Sequence, residues 1–377
     1  LITLSGAGSR LNDTGASADL LIEHGNTLTL GAGTSVHSDQ FIDIGEHGNG
    51  VVTVDGAGAS FTAAAAAGTG FNDIGNVNTG ILTFSTSATG TITSGFQIGN
   101  ANGSSGTLNV LSQASITAGQ LSLAAQGTTA VAVVNVTGGT LTQTATAGIT
   151  VGSGSGGSAT LTVGAGGVFS TGSGTTTLNA TGQINTSGTF HMHGDLSIVG
   201  GTFNQTDGVF SFDASHNITV QAAGKLNLIT YSETSTSDAI SVIGAGSQFV
   251  VTGPGSDLVI NNGATLTVSS SAIVHTSTYF DIASNGNGSA SFDGAGTFLT
   301  SGGTPTDGQN LLGTAGAGTL TFSGGATGIL PGGIIVGSTA GSSGTLKVQS
   351  GAILTTGPLN VASFGFAATG VIDVTGG

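Results

Sequence analysis

Short runs of alternating apolar and polar residues recur along the whole chain. TLTL (27–30), VVTV (51–54), ILTF (81–84), TLNV (107–110), TLTV (160–163), TLTV (265–268), TLTF (319–322) and TLKV (345–348) share one pattern. The second and fourth residues are apolar and the third is polar, mostly Thr. A period of two puts the apolar residues on one face of a strand and Thr on the other. The pattern therefore predicts strands of about four or five residues. The inward set is Leu28, Leu30, Val52, Val54, Leu82, Phe84, Leu108, Val110, Leu161, Val163, Leu266, Val268, Leu320, Phe322, Leu346 and Val348. Gly, Asn and Ser clusters between the runs supply turns with positive φ. Convincing helical periodicity is absent.

A second strand precedes each of these, ending in an apolar residue followed by Gly or Ala. Examples are FIDIG (41–45), FNDIG (71–75), FQIG (96–99), LSLA (121–124), ITVG (149–152), FDIA (280–283) and IIVG (334–337). The marker falls at Gly45, Gly75, Gly99, Ala124 and Gly152, a spacing of 24–30 residues. Self-similarity at that period predicts a solenoid. One coil carries two or three short strands and cannot bury its own apolar face, whereas stacked coils bury a continuous core. The expected fold is all-β: a parallel β-helix without a second domain. About 15 coils at the usual inter-strand spacing would stack to about 70 Å.

A longer period overlies the short one. VHSDQFIDIGEHGNGVVTVDGAG (36–58) matches VHTSTYFDIASNGNGSASFDGAG (274–296), pairing His37 with His275, Asp43 with Asp281 and Asp55 with Asp293 at an offset of 238. Gly99 and Gly337 keep the same offset, as do VTGG (136–139) and VTGG (374–377). Residues 1–139 and 239–377 thus read as two copies of one block, with 140–238 between them. Matching Phe61 to Phe298 implies a one-residue slip there, recovered by Gly75. Two copies ending partway through a repeat suggest a parent chain with more of them. The chain begins at Leu1, shows no signal-peptide pattern, and reads as a piece of something longer.

Composition narrows the function. The 377 residues include 70 Gly and no Cys or Trp, and only 6% are charged. Glycine without a three-residue period excludes collagen, and the alternating runs argue against disorder. Three cations, Arg10, Lys225 and Lys347, stand against 18 acidic residues, for a formal charge of −15. Nothing here neutralises phosphates, so nucleic acid and anionic membrane surfaces are unsuitable partners. No apolar run approaches the ~20 residues needed to span a bilayer, so no membrane insertion by this segment is expected.

The segments IGNANGSSGTLNVLSQASIT (98–117) and VGSTAGSSGTLKVQSGAILT (336–355) resemble the repeat shared by type V secretion (autotransporter) passengers and PEP-CTERM-associated proteins. Residues 41–169 and 279–363 fit the pattern best and 188–214 worst. The resemblance implies a right-handed parallel β-helix that is secreted or displayed at the cell surface, often as an adhesin or stalk. It supplies no shared catalytic residues.

Candidate sites are few. In HMH (191–193), Phe190 and Met192 take the inward face, so His191 and His193 point outward together. Such a pair suits Zn²⁺, with Asp195 nearby, but it also reads as two solvated histidines. Asp43, Asp55, Asp281 and Asp293 recur with the block and could align oxygen ligands for calcium. The alternative is turn chemistry, since Asp before Gly-Ala-Gly favours a tight turn. Repeated TLT runs invite an ice-binding reading, yet Thr suits any exposed strand face and the coil spacing varies too much for one regular plane. Asp207 and Asp213 are the nearest carboxylate pair for a hydrolase. Sequons such as those at Asn12, Asn179, Asn204 and Asn217 are expected by chance in so Asn- and Thr-rich a chain.

The sequence therefore predicts no enzyme and no obligatory cofactor. It predicts an extracellular structural and adhesive rod, a unit of a bacterial surface filament or stalk. The alternative is a monomeric autotransporter passenger that binds host or glycan surfaces. Expected partners are neighbouring repeats of the same chain, through self-association into a fibre, and glycan or cell-surface ligands.

Overall fold

A computed structural model describes residues 1–16, 19–213, 216–232, 238–306, 308–362 and 367–376. Every regular element among them is a β-strand, and the strands stack in parallel from one coil to the next as a β-solenoid. The chain forms two compact units, one of residues 1–195 and 201–212, the other of residues 196–200 and 213–377.

In the first unit, one strand column begins with Ile2–Leu4, Asn26–Leu30, Gly50–Asp55, Thr79–Ser85, Ser105–Leu111 and Val131–Thr137. Ile2 pairs with Leu28, Leu28 with Val52, Val52 with Leu82, Leu82 with Leu108 and Leu108 with Val134, so successive coils take 26, 24, 30, 26 and 26 residues. In the second unit, Ile240 pairs with Leu266, then Ala290, Leu320, Leu346 and Ile372, which again gives 26, 24, 30, 26 and 26.

The inward set is buried as the alternation dictates, Leu108 at 0% and Leu346 at 1% exposure. Full burial of each such side chain stabilises by about 1.5–3 kcal/mol. Val348 is the exception and is half-buried. Its covering strand, Thr369–Thr375, carries Ile372 and Val374, which are themselves exposed.

The expected slip near Phe61 does not occur. Ser35 pairs with Ser60 and Val36 with Phe61, as Ile273 pairs with Phe298 and Val274 with Leu299. The counterpart of Phe61 is therefore Leu299, and both are buried, while Phe298 is half-exposed. Matching the two aromatic residues misaligned the strands; facing, not residue type, fixes the register.

The apolar-Gly marker is a corner at which the next coil passes close by. Gly75 has φ 69°, and a Cβ there would strike the Ser105 carbonyl. Ala124 and Ala283 hold the same kind of corner at φ 50° and 58°, accepting strain that Gly avoids.

Some coils of the intervening segment are tighter than the 24–30 residues of the blocks. Leu161 pairs with Ile184 and Ile184 with Phe203, so these coils take 23 and 19 residues. Phe fills this smaller section: ring centroids lie 5.1 Å apart for Phe169–Phe190, 5.4 Å for Phe190–Phe203 and 4.8 Å for Phe203–Phe210.

Candidate functional site

The strand Thr189–Met192 buries Phe190 and Met192 and turns His191 outward, with His193 exposed just beyond it. His191 Nδ1 lies 2.6 Å from Ser211 Oγ on the next coil, and the His193 backbone N–H donates to Thr171 Oγ1 at 3.0 Å. Among the described residues, no group of three or more His, Asp or Glu is placed to hold a metal ion. These two bonds join neighbouring coils.

The recurrent aspartates fall into two classes. Asp55 and Asp293 are exposed, and each accepts a 2.7 Å hydrogen bond from the serine 30 residues on, Ser85 and Ser323. The Ser85 hydroxyl, with smaller help from Thr86 and the Gly56 amide, holds the Asp55 carboxyl below its ordinary pKa. Asp43 and Asp281 sit on short strands, Ile42–Ile44 and Phe280–Ile282, and lie deeper. Each accepts a backbone N–H from the coil above, Asp73 at 3.0 Å and Leu311 at 2.9 Å. Burial pushes Asp43 up to about 6 and Asp281 up to about 7.

Asp73 escaped the sequence reading although FNDIG repeats the Asp of FIDIG. It is pushed up to about 7, first by burial and then by Asp43. Asn76 donates to its Oδ2 at 2.8 Å, while Oδ1 is buried without a hydrogen-bond partner among the described residues. Asp43, Glu46 and Asp19 gather negative charge here, partly balanced by His47. Nearby, Glu23 takes His47 Nδ1 at 3.0 Å and His24 Nδ1 at 3.2 Å. Burial pushes Glu23 up, but the His47 amide and ring together with His24 outweigh it and leave the carboxyl below its ordinary pKa.

His216 and Asp238 are buried together, with Nε2–Oδ2 at 3.3 Å and the His216 N–H donating to Asp238 Oδ1 at 3.0 Å. No motif in the sequence announces this pair. Asp207 is exposed and accepts its bond from the adjacent Gly208 amide, while Asp213 lies in the other unit.

The outward Thr face is more regular than coil spacing suggests. Thr29, Thr53, Thr83, Asn109, Asn135, Thr162, Asn185 and Asn204 are in register on successive strands, because loops absorb the differences in coil length. Asn135 Nδ2 donates to Asn109 Oδ1 at 2.9 Å, and Asn109 Nδ2 donates to Thr83 Oγ1 at 3.2 Å. Beside the short strands, a cavity of about 500 Å³ opens under residues 67–71.

No protein-family model matches the chain, and no curated protein matches it. Among solved structures, the crystal structure of a TibC-catalyzed hyper-glycosylated TibA55-350 fragment aligns at 17% identity over 97% of this chain and 95% of that one. The TM-score is 0.26, too low to support an argument about family or function.

Proposed function

We propose that this chain is an extracellular structural and adhesive element, a building unit of a surface filament or stalk, with no chemistry of its own. The observation that carries this reading is the repeated series of coil lengths, 26, 24, 30, 26 and 26, in residues 1–139 and 239–376. A block retained in length and register while its outward side chains change suits a part selected for span. We take the 238-residue block as the repeated part of a longer chain.

The candidate acids support the same reading. Asp55, Asp293, Asp43 and Asp281 all satisfy groups on a neighbouring coil. Cations are too scarce for lyase chemistry or for phosphate binding. Contacts between units are then rich in Thr, Ser and Asn and poor in ion pairs, so salt has little to screen.

Imaging purified protein in low and high salt tests the proposal. End-to-end or side-by-side assemblies that persist in high salt are expected. A strictly monomeric protein that turns over a polysaccharide refutes it.

A further inference from the structure

We propose that the cavity under residues 67–71 binds a neutral pyranose, a single sugar ring of a glycan. The inference rests on the surface-adhesive reading and names its ligand class. The cavity measures about 500 Å³ and lies wholly within the first unit. Clefts of that size are typical of small-molecule sites.

The two block copies differ here in an informative way. In the second copy, Tyr279 lies against Gly303, Gly308 and Gly332. A Cβ on Gly332 would come within 2.9 Å of the Tyr279 ring and one on Gly308 within 3.0 Å, and one on Gly303 would overlap it. The Tyr279 hydroxyl donates to the Thr304 carbonyl at 3.2 Å. In the first copy the corresponding residues are Phe41, Ala65, Gly70 and Ser94. Two of the three glycines have gained side chains, so Phe41 cannot take the seat that Tyr279 takes. Its ring still lies against Gly70. The space beside Gly70 and Ser94 is left open and becomes part of the cavity. One copy thus fills this position with its own ring and polar edge, whereas in the other the space beside Gly70 and Ser94 belongs to the cavity.

The lining specifies the class of ring. No charged residue borders the cavity, which disfavours ionised ligands. Phe71 and walls of Ala and Gly offer apolar surface to the C–H face of a sugar. Ser94 is 97% buried; its Oγ accepts from Asn72 Nδ2 at 2.9 Å and keeps its own proton to donate. Gln120 and Thr146 also line the cavity, and their side chains make no hydrogen bond among the described residues. Hydroxyl and amide groups facing an apolar wall match a pyranose better than a bare aromatic ring.

Saturation-transfer NMR on the whole chain tests the site. The probes are methyl glucoside, methyl galactoside, methyl mannoside and N-acetylglucosamine, with p-cresol and N-acetylneuraminic acid as contrasts. At least one neutral sugar should receive saturation. The signal should fall at least tenfold in Ala147→Trp, which fills the mouth from an exposed position, and in Gln120→Ala. Circular dichroism and Tm should be unchanged in both variants. No signal from any neutral sugar, equal signal in both variants, or binding of p-cresol or the acidic sugar alone overturns the proposal. Loss of sugar binding with assembly intact removes the pocket and spares the structural reading; sugar binding without assembly does the reverse.

Discussion

Residues 1–139 and 239–376 share a backbone plan and differ in what they display. Several bonds from side chain to backbone are kept to the residue. Asn72 accepts from the Ile42 amide at 2.8 Å and donates to the Gly95 carbonyl at 2.9 Å, and Asn310 does the same with Phe280 at 2.8 Å and Gly333 at 2.6 Å. Asn49 and Asn287 each accept the amide 30 residues on, from Thr79 and Ala317. Charged display is kept only in part. Glu23, His24, Glu46 and His47 face Asn261, Asn262, Ser284 and Asn285 in the second copy, and Asp73 faces Leu311. Even so, Asn285 donates its amide to Asn261 Oδ1 at 3.1 Å, as His47 does to Glu23. Groups that close a coil's own hydrogen bonds are fixed, since an orphaned buried amide is expensive; groups facing solvent are free to change.

The core should therefore respond most strongly to substitution, in both copies. Leu108→Asp loses a buried side chain and leaves a charge unpaired in the core, and the expected cost is about 3–5 kcal/mol or more. Leu346→Asp should cost less, because fewer coils depend on it and neighbouring-repeat terms dominate in a solenoid. Denaturant unfolding of both variants measures the difference. A loss at Leu108 within error of zero would break the stacking account.

Next come the two buried asparagines. Asn72→Ala and Asn310→Ala each orphan a backbone amide, of Ile42 and Phe280 respectively, for about 1–3 kcal/mol each. Near-equal losses would support structural equivalence; a loss in one copy alone would show that the copies bear load differently.

The buried carboxyls give a smaller and pH-dependent effect. Asp43, Asp73 and Asp281 have pKa values raised from 3.8 to about 6–7. A raised carboxyl stabilises the fold while protonated. That contribution is complete below about pH 3.8 and is lost as pH rises through about 6–7. Tm should accordingly fall between pH 4 and pH 8 as far as these groups decide it. Asp73→Asn should flatten that slope and gain about 1–2 kcal/mol at pH 8, since each pKa unit is worth about 1.4 kcal/mol before discounting for partial exposure. Tm measured against pH for both proteins decides the matter. The smallest effect is at the surface, where His47→Asn installs the residue of the second copy. Its Tm should match that of the parent at neutral pH.

Much of the fold was legible because period-two alternation and turn residues repeat the same message in every coil. The inward positions from Leu28 to Leu346 follow from it directly. The narrow coils between Leu161 and Phe203 were less so, because Phe-rich runs such as 202–212 carry no Gly marker at the usual spacing. Val348 misled because alternation reports facing and not how well a coil is covered. At the candidate site, sequence identified Asp43 and Asp281 but missed Asp73, whose string was visible. It could not find His216 with Asp238, whose contact depends on a coil closing over 22 residues. The ring seat at Tyr279 was equally hidden, since three glycines in a glycine-rich chain signal nothing until something packs on them.

The central claim, that this chain builds an extracellular surface structure, is tested most directly by immunogold electron microscopy of the source cells with antibody against residues 1–139. Gold along external filaments or stalks is the predicted result. Gold confined to the cell interior would contradict the account.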